Sequence, residues 1–296
     1  MQREIFIMKK IRFLIFIIIL FLGCSKTEIE KEVIEPSIII LSPEIAEIVC
    51  TLDGGMNILA VINECDYPEI LKSKEKIGSF SSPNIEKIVA LQPDMIFISG
   101  LEQEVIKSKL SKLGMKVYQF YPKNINDLIK IFEDIGKLLG KENCASEIIK
   151  NYKKELNAIP IPAIKPKVYV EIYNNPLMTV SINSFIGDII ENSGGKNIFQ
   201  NLPRDYCRVS AESIVVRNPD IIIVTYQGIS NTEIKNRLGW EIVNAIVNNQ
   251  IYTPEDIDPD LLIRAGPRSI IGIKILSKIF RNFSSSNLQR SSENEK

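Results

Sequence analysis

Five cysteines and no histidine set the chemistry open to this 296-residue chain. Without imidazole there is no Ser-His or Cys-His pair, and the commonest general base and the commonest metal or haem ligand are missing. Cys50, Cys65, Cys144 and Cys207 form no CxxC pair and no zinc-type spacing. Cys50 reads as a packed thiol in an apolar helical stretch; whether Cys65 or Cys207 joins a disulfide stays open. GxSxG and GxGxxG are absent. Gly136-Lys137-Leu138-Leu139-Gly140-Lys141 approaches a P-loop but is one residue short, and Glu142 stands where Ser or Thr is required. It reads as a helix ending at Gly140. Asp256, Asp258 and Asp260 alternate as in a calcium loop, yet no glycine makes the turn and no Glu closes it, so a solvated loop is the better reading. The expectation is a protein that binds, with no catalytic residue, no metal site and no cofactor of its own.

Cys24 carries a different chemistry. Arg3, Lys9, Lys10 and Arg12 precede an apolar run over residues 13–22, about half the roughly 20 residues that cross a bilayer. Gly23 then stands just before Cys24, as in a signal peptide over residues 1–23. Phe21-Leu22-Gly23-Cys24-Ser25 resembles a bacterial lipobox, in which the thiol is acylated and the cysteine becomes the first residue; an ordinary thiol in a signal segment is the other reading. Met8-Lys9-Lys10 reads as a more natural start than Met1. Residues 24–36 are charged and poor in aromatics, so they read as a lipidated tether, and residues 284–296 read as a disordered tail. Without residues 1–23 the chain holds 32 basic and 35 acidic residues, net −3, which offers no basic surface for nucleic acid. The expected location is extracytoplasmic, lipid-anchored to the envelope membrane.

The elements that must position these groups are apolar runs of strand length alternating with amphipathic helical segments. That pattern is the signature of α/β architecture with parallel sheets covered by helices. Residues 82–99 align without gaps on residues 208–225, with six identities: Glu86/Glu212, Ile88/Ile214, Val89/Val215, Pro93/Pro219, Asp94/Asp220 and Ile96/Ile222. Gly54-Gly55-Met56-Asn57-Ile58 echoes Gly194-Gly195-Lys196-Asn197-Ile198, each after a helix that the glycines can cap. Two echoes in the same order imply two similar lobes, over residues 37–123 and 166–283. Asn84 and Ser210 are N-caps, the prolines stop the short helices, and buried strands follow from Met95 and Ile221. Residues 124–165 join the lobes through helices interrupted near residues 140–143, the second of them long enough to act as a rigid link.

These features resemble the helix-linked class of periplasmic substrate-binding proteins, which serve ABC importers of vitamin B12, iron-siderophores and haem. The resemblance covers residues 37–281. It rests on Ile40-Leu41-Ser42-Pro43 with Glu44 and Glu47, on Cys65-Asp66-Tyr67-Pro68, on Ser82-Pro83-Asn84-Ile85-Glu86 running into Ala90-Leu91-Gln92-Pro93-Asp94, and on Arg264-Ala265-Gly266-Pro267-Arg268. It implies a ligand cleft between two lobes, with a permease and its ATPase as partners. It also implies that Glu86 and Glu212 dock on the permease; an acid in a first turn that simply favours the helix dipole is the alternative. Tyr67 and Phe80 resemble positions that touch the corrin in vitamin B12-binding members. Tyr206 and Tyr226 are placed by loop position only, and Arg264 either meets an anionic ligand group or braces its own loop. Trp240 reads as core packing.

The leading expectation is a monomeric lipoprotein that binds a corrinoid, with a ferric siderophore as the alternative and tyrosinate-ligated haem as a third. The transported ligand would itself carry the cobalt or iron. An extracytoplasmic metal-dependent hydrolase and a surface adhesin are the readings from other classes.

Overall fold

The computed structural model describes residues 35–100 and 102–294. The expectations for the signal segment, for Cys24 and for nearly all of the tether lie outside the described residues. Among those described, no helix is long and apolar enough to cross a membrane.

The first sheet is built from Ile38–Ile40 (β1), Ile58–Val61 (β2), Glu75–Lys76 (β3), Met95–Ser99 (β4) and Val117–Phe120 (β5). All pairs are parallel, in the order β3-β2-β1-β4-β5. Helices Pro43–Thr51 (α1), Ile85–Leu91 (α2) and Glu104–Lys112 (α3) make crossovers. Every residue of β1 and β4 is buried, which is why these strands read as unbroken apolar runs rather than alternating ones.

Two helices follow, Ile125–Leu138 (α4) and Glu142–Asn157 (α5). At 1.5 Å per residue α5 is about 24 Å long. A Cβ on Gly136 would lie 2.7 Å from that of Ala145, so glycine lets the two helices cross closely. Gly140, at φ +64°, turns the chain between them, and Lys141 N–H donates to the Gly136 carbonyl at 2.7 Å. The P-loop lookalike is this helix end.

The second sheet comprises Lys167–Glu171 (β6), Lys196–Asn197 (β9), Ile221–Val224 (β11) and Ile251–Tyr252 (β12), parallel in the order β12-β11-β6-β9. Tyr173–Asn174 (β7), Leu177–Val180 (β8) and Tyr206–Arg208 (β10) form a small antiparallel sheet in the order β10-β8-β7. The helices of this half are Phe185–Asn192 (α6), Ala211–Arg217 (α7), Asn231–Lys235 (α8), Asn244–Val247 (α9), Asp260–Ile263 (α10) and Ser269–Asn294 (α11). One apolar cluster runs from β1 and β4 through α4 and α5 to Val168, Ile221 and Phe280, and a second surrounds the fully buried Trp240.

The repeat has a physical basis. Asn84 Oδ1 accepts from Lys87 N–H at 3.0 Å and Ser210 Oγ from Ser213 N–H at 3.2 Å, capping α2 and α7. Both helices end in a left-handed residue, Gln92 (φ 46°) and Asn218 (φ 45°). Asp94 and Asp220 each accept a backbone N–H at 2.8 Å, from Ser37 and Lys167, and so tie the entry of a central strand to the end of the helix.

Two expectations need correction. Gly194 (φ +85°) turns the chain after α6, but after α1 that role falls to Asp53 (φ 57°). Gly54 is needed for space instead, since a Cβ there would meet Val49 Cγ1 at 2.9 Å. Nor is the segment from residue 284 a disordered tail, because α11 continues to Asn294. Its polar side chains bond back to the helix and its surroundings: Ser284 Oγ accepts from Ile164 N–H at 2.9 Å, and Ser286 and Asn287 donate to carbonyls one turn earlier.

Candidate ligand cleft

In open parallel sheets ligands bind beyond the carboxyl ends of the strands, where the strand order reverses direction. Here those points lie between β1 and β4 and between β6 and β11.

At the first point Ser42 caps α1, its Oγ accepting from Ile45 N–H at 3.3 Å. Buried Gln103 ties the surrounding loops together. Its Nε2 donates to the Leu41 and Phe80 carbonyls at 2.8 and 3.0 Å, and its Oε1 accepts from Ser99 N–H at 3.0 Å. Glu64 accepts from Phe80 N–H at 3.1 Å. Phe80 is therefore held from both sides of its backbone, and its ring is half-buried against the core. Tyr67, before a cis Pro68, is 48% exposed, and the Arg268 guanidinium lies 4.1 Å from its ring centroid.

At the second point stands Glu171, the last residue of β6 and fully buried. Arg237 meets it with two bonds of 2.6 and 2.7 Å, and the hydroxyls of Tyr226 and Tyr169 donate to it at 2.6 and 3.1 Å. Arg237 also stacks 4.6 Å from the Trp240 ring centroid. Four donors satisfy one buried carboxylate, which is the condition under which such a charge is tolerated. Burial raises the Tyr226 phenol well above its ordinary pKa, and Glu171 adds to the effect through its hydrogen bond and its charge.

A third cluster joins the two halves. Buried Glu47 of α1 accepts from Arg268 at 2.8 and 2.7 Å and from Arg264 at 3.3 Å. Arg264 further pairs with Asp66 at 2.8 Å and Asp260 at 2.9 Å, and Arg268 with Asp258 at 3.7 Å. Burial works against the Arg264 charge, but Asp66 and Asp260 outweigh it and raise its pKa. For Asp66, burial is likewise outweighed, and Arg264 lowers the carboxyl pKa. The aspartates at 258 and 260 are counter-charges of this strut, and Arg264 braces the halves against each other. Nearby, the Tyr121 hydroxyl donates to Asp205 at 2.7 Å and Ile125 N–H to Asp188 at 2.9 Å. Tyr206, 39% exposed, is raised to about 12, first by burial and then by the charges of Asp205, Glu102 and Glu44. These last two carboxylates belong to the first half.

Glu86 and Glu212 are both exposed, each in the first turn of its capped helix. Glu86 makes no hydrogen bond or ion pair among the described residues, whereas the Glu212 carboxylate accepts from the Glu212 N–H and the Ser210 hydroxyl, which lower its pKa. The four described cysteines are free thiols, and no group of three or more Cys, Asp or Glu among the described residues is arranged to hold a metal. Sequence reasoning missed Glu171, Arg237 and Gln103. A charged residue closing the apolar Val-Tyr-Val run of β6 was the signal for the first; the other two carry none.

Comparison with known proteins places these features in a family. The periplasmic binding protein family profile matches residues 38–257. An uncharacterised ABC transporter substrate-binding lipoprotein of Bacillus subtilis is 27% identical over 252 residues, covering 81% of this chain and 78% of its own. A vitamin B12-binding protein of Vibrio vulnificus is 26% identical, covering 82% of this chain and 89% of its own. Among solved structures, a possible iron-binding (periplasmic solute-binding) protein of Staphylococcus epidermidis superposes with a TM-score of 0.72 at 30% identity, over 83% of this chain and 98% of that one.

Proposed function

The chain belongs to the periplasmic binding protein family, and from that premise we propose that it is a lipid-anchored carrier that takes a corrinoid into the cleft and delivers it to an ABC permease. The family consists of transport substrate-binding proteins, not enzymes. One observation carries the ligand class: three arginines, Arg237, Arg264 and Arg268, are already neutralised, while exposed Arg204 and Arg208 make no ion pair among the described residues. Arg237 is paired with Glu171, and Arg264 and Arg268 with Glu47 and aspartates. A polyanionic chelate would have to compete with buried carboxylates for those guanidinium groups. Exposed aromatic faces remain at Tyr67 and Tyr206, and they suit a bulky ligand of low charge. In this reading Tyr67, Phe80, Tyr206 and Tyr226 contact the ligand in the cleft, Arg264 stands at its edge, Glu86 and Glu212 meet permease arginines, and acylated Cys24 anchors the tether.

A second reading, an iron chelate, is favoured by the 30% identity to the Staphylococcus protein. Calorimetric titration with cyanocobalamin, ferric hydroxamate, ferric catecholate and haem tests both. One-to-one saturation by the corrinoid alone supports the proposal. Saturation by an iron chelate alone keeps the carrier and discards its ligand, and no saturation by any of the four overturns the reading.

A further inference from the structure

A cavity of about 240 Å³ opens on the second half, away from the cleft. It is lined by Lys167 at the start of β6, Lys196 at the start of β9 and Arg217 in the last turn of α7, with the amides of Gln200 and Asn201 and the ring of Phe199. Glu171 sits at the other end of β6, about 13 Å away at 3.3 Å per residue. Three cations meet here with no carboxylate in the lining. Asp220, which bonds to the start of β6, is occupied, one oxygen accepting from Lys167 N–H at 2.8 Å and the other from Asn244 Nδ2 at 3.1 Å.

Arg217 is held in place. Its Nε donates to the Ile198 carbonyl at 3.1 Å, and its guanidinium lies 4.7 Å from the Phe199 ring centroid. Its terminal amino groups make no ion pair among the described residues, and neither does Lys196. The other half of the molecule shows that the fold does not require these charges. The repeat sets Ser37, Met56 and Leu91 where Lys167, Lys196 and Arg217 stand. The cations are thus an addition confined to one lobe, around a space smaller than the ~300–1,000 Å³ of drug-sized ligand sites.

We propose that this cavity is a second binding site, for a phosphate group, carried either by a free phosphate or by an anionic lipid headgroup. A fixed arginine, two lysines and side-chain amides supply the donors that such oxygens take.

The test is calorimetric titration of the full chain in detergent with inorganic phosphate, and separately with a short-chain phosphatidylglycerol below its micellar concentration. The expected result is saturable one-to-one binding of at least one probe, at least 10-fold weaker in the Lys196→Glu/Arg217→Gln double variant. Lys278→Glu, on the exposed face of α11, should leave binding unchanged. Displacement of phosphate by phosphatidylglycerol, or saturation by the lipid alone, identifies the headgroup as the source. Phosphate binding that the lipid does not disturb identifies the free anion. Saturation by neither probe, or binding that the double variant retains while keeping the wild-type thermal transition, overturns the proposal.

Discussion

Replacing Glu47 with glutamine should reveal what holds the two halves in register. Glu47 is 1% exposed and accepts two bonds from Arg268 and one from Arg264, residues 221 and 217 positions away in the chain. Removing one partner of a buried ion pair costs ~3–5 kcal/mol, because the remaining charge is left uncompensated. Glutamine keeps the volume and one acceptor, and Asp66, Asp258 and Asp260 still face the guanidinium groups. The loss should therefore fall near the lower bound, ~3 kcal/mol, which for a domain of this size lowers Tm by about 6–12 °C. Thermal denaturation at pH 7 measures it, and a double-mutant cycle with Arg268→Gln should return a coupling above ~1 kcal/mol. A shift of under 2 °C, or one abolished by 1 M salt, would refute the reasoning, since only a solvent-exposed pair is so cheap and so easily screened.

Three further outcomes are expected. Asp66→Asn should destabilise the protein at neutral pH and have no effect in strong acid. The folded pKa of Asp66 is lowered, so its contribution is complete above the ordinary carboxylate range and disappears as pH falls through the lowered value; parallel melting curves from pH 7 to pH 2 should converge. Tyr67→Ala should weaken ligand binding about 10-fold without lowering Tm by more than a few degrees, because a half-exposed ring contributes little to the core. Equilibrium dialysis against the ligand checks the first half of that statement. Charge reversal of both Glu86 and Glu212 should abolish ligand uptake by cells while leaving affinity in solution intact, and uptake that survives the double reversal would remove the docking role.

Local patterns were legible in the sequence because their causes are local. The capped helix, left-handed residue, proline, aspartate and buried strand of each repeated unit lie within eighteen residues, and the aspartate does the same stitching in both halves. Trp240, read as core from the sequence, is fully buried. What could not be read was partnership over distance. Glu171 and Arg237 are 66 residues apart, and Arg264 and Glu47 are 217 apart. Nothing in either segment says that an arginine in a plausible binding motif is already claimed by a carboxylate. The segment from residue 284 misled for the opposite reason. Its composition is that of disorder, but Ser and Asn side chains that bond to carbonyls one turn back let a polar sequence extend an existing helix.

The claim most worth testing is that spent arginines leave a cleft suited to a bulky ligand of low charge. Competitive equilibrium dialysis of the chain against equal concentrations of cyanocobalamin and a ferric tris-catecholate, at 50 and at 500 mM salt, addresses it directly. The account predicts that the corrinoid is retained in excess and that its retention barely changes with salt, because stacking and burial are not screened as exposed charges are. Preferential retention of the anionic chelate, falling as salt rises, would contradict it.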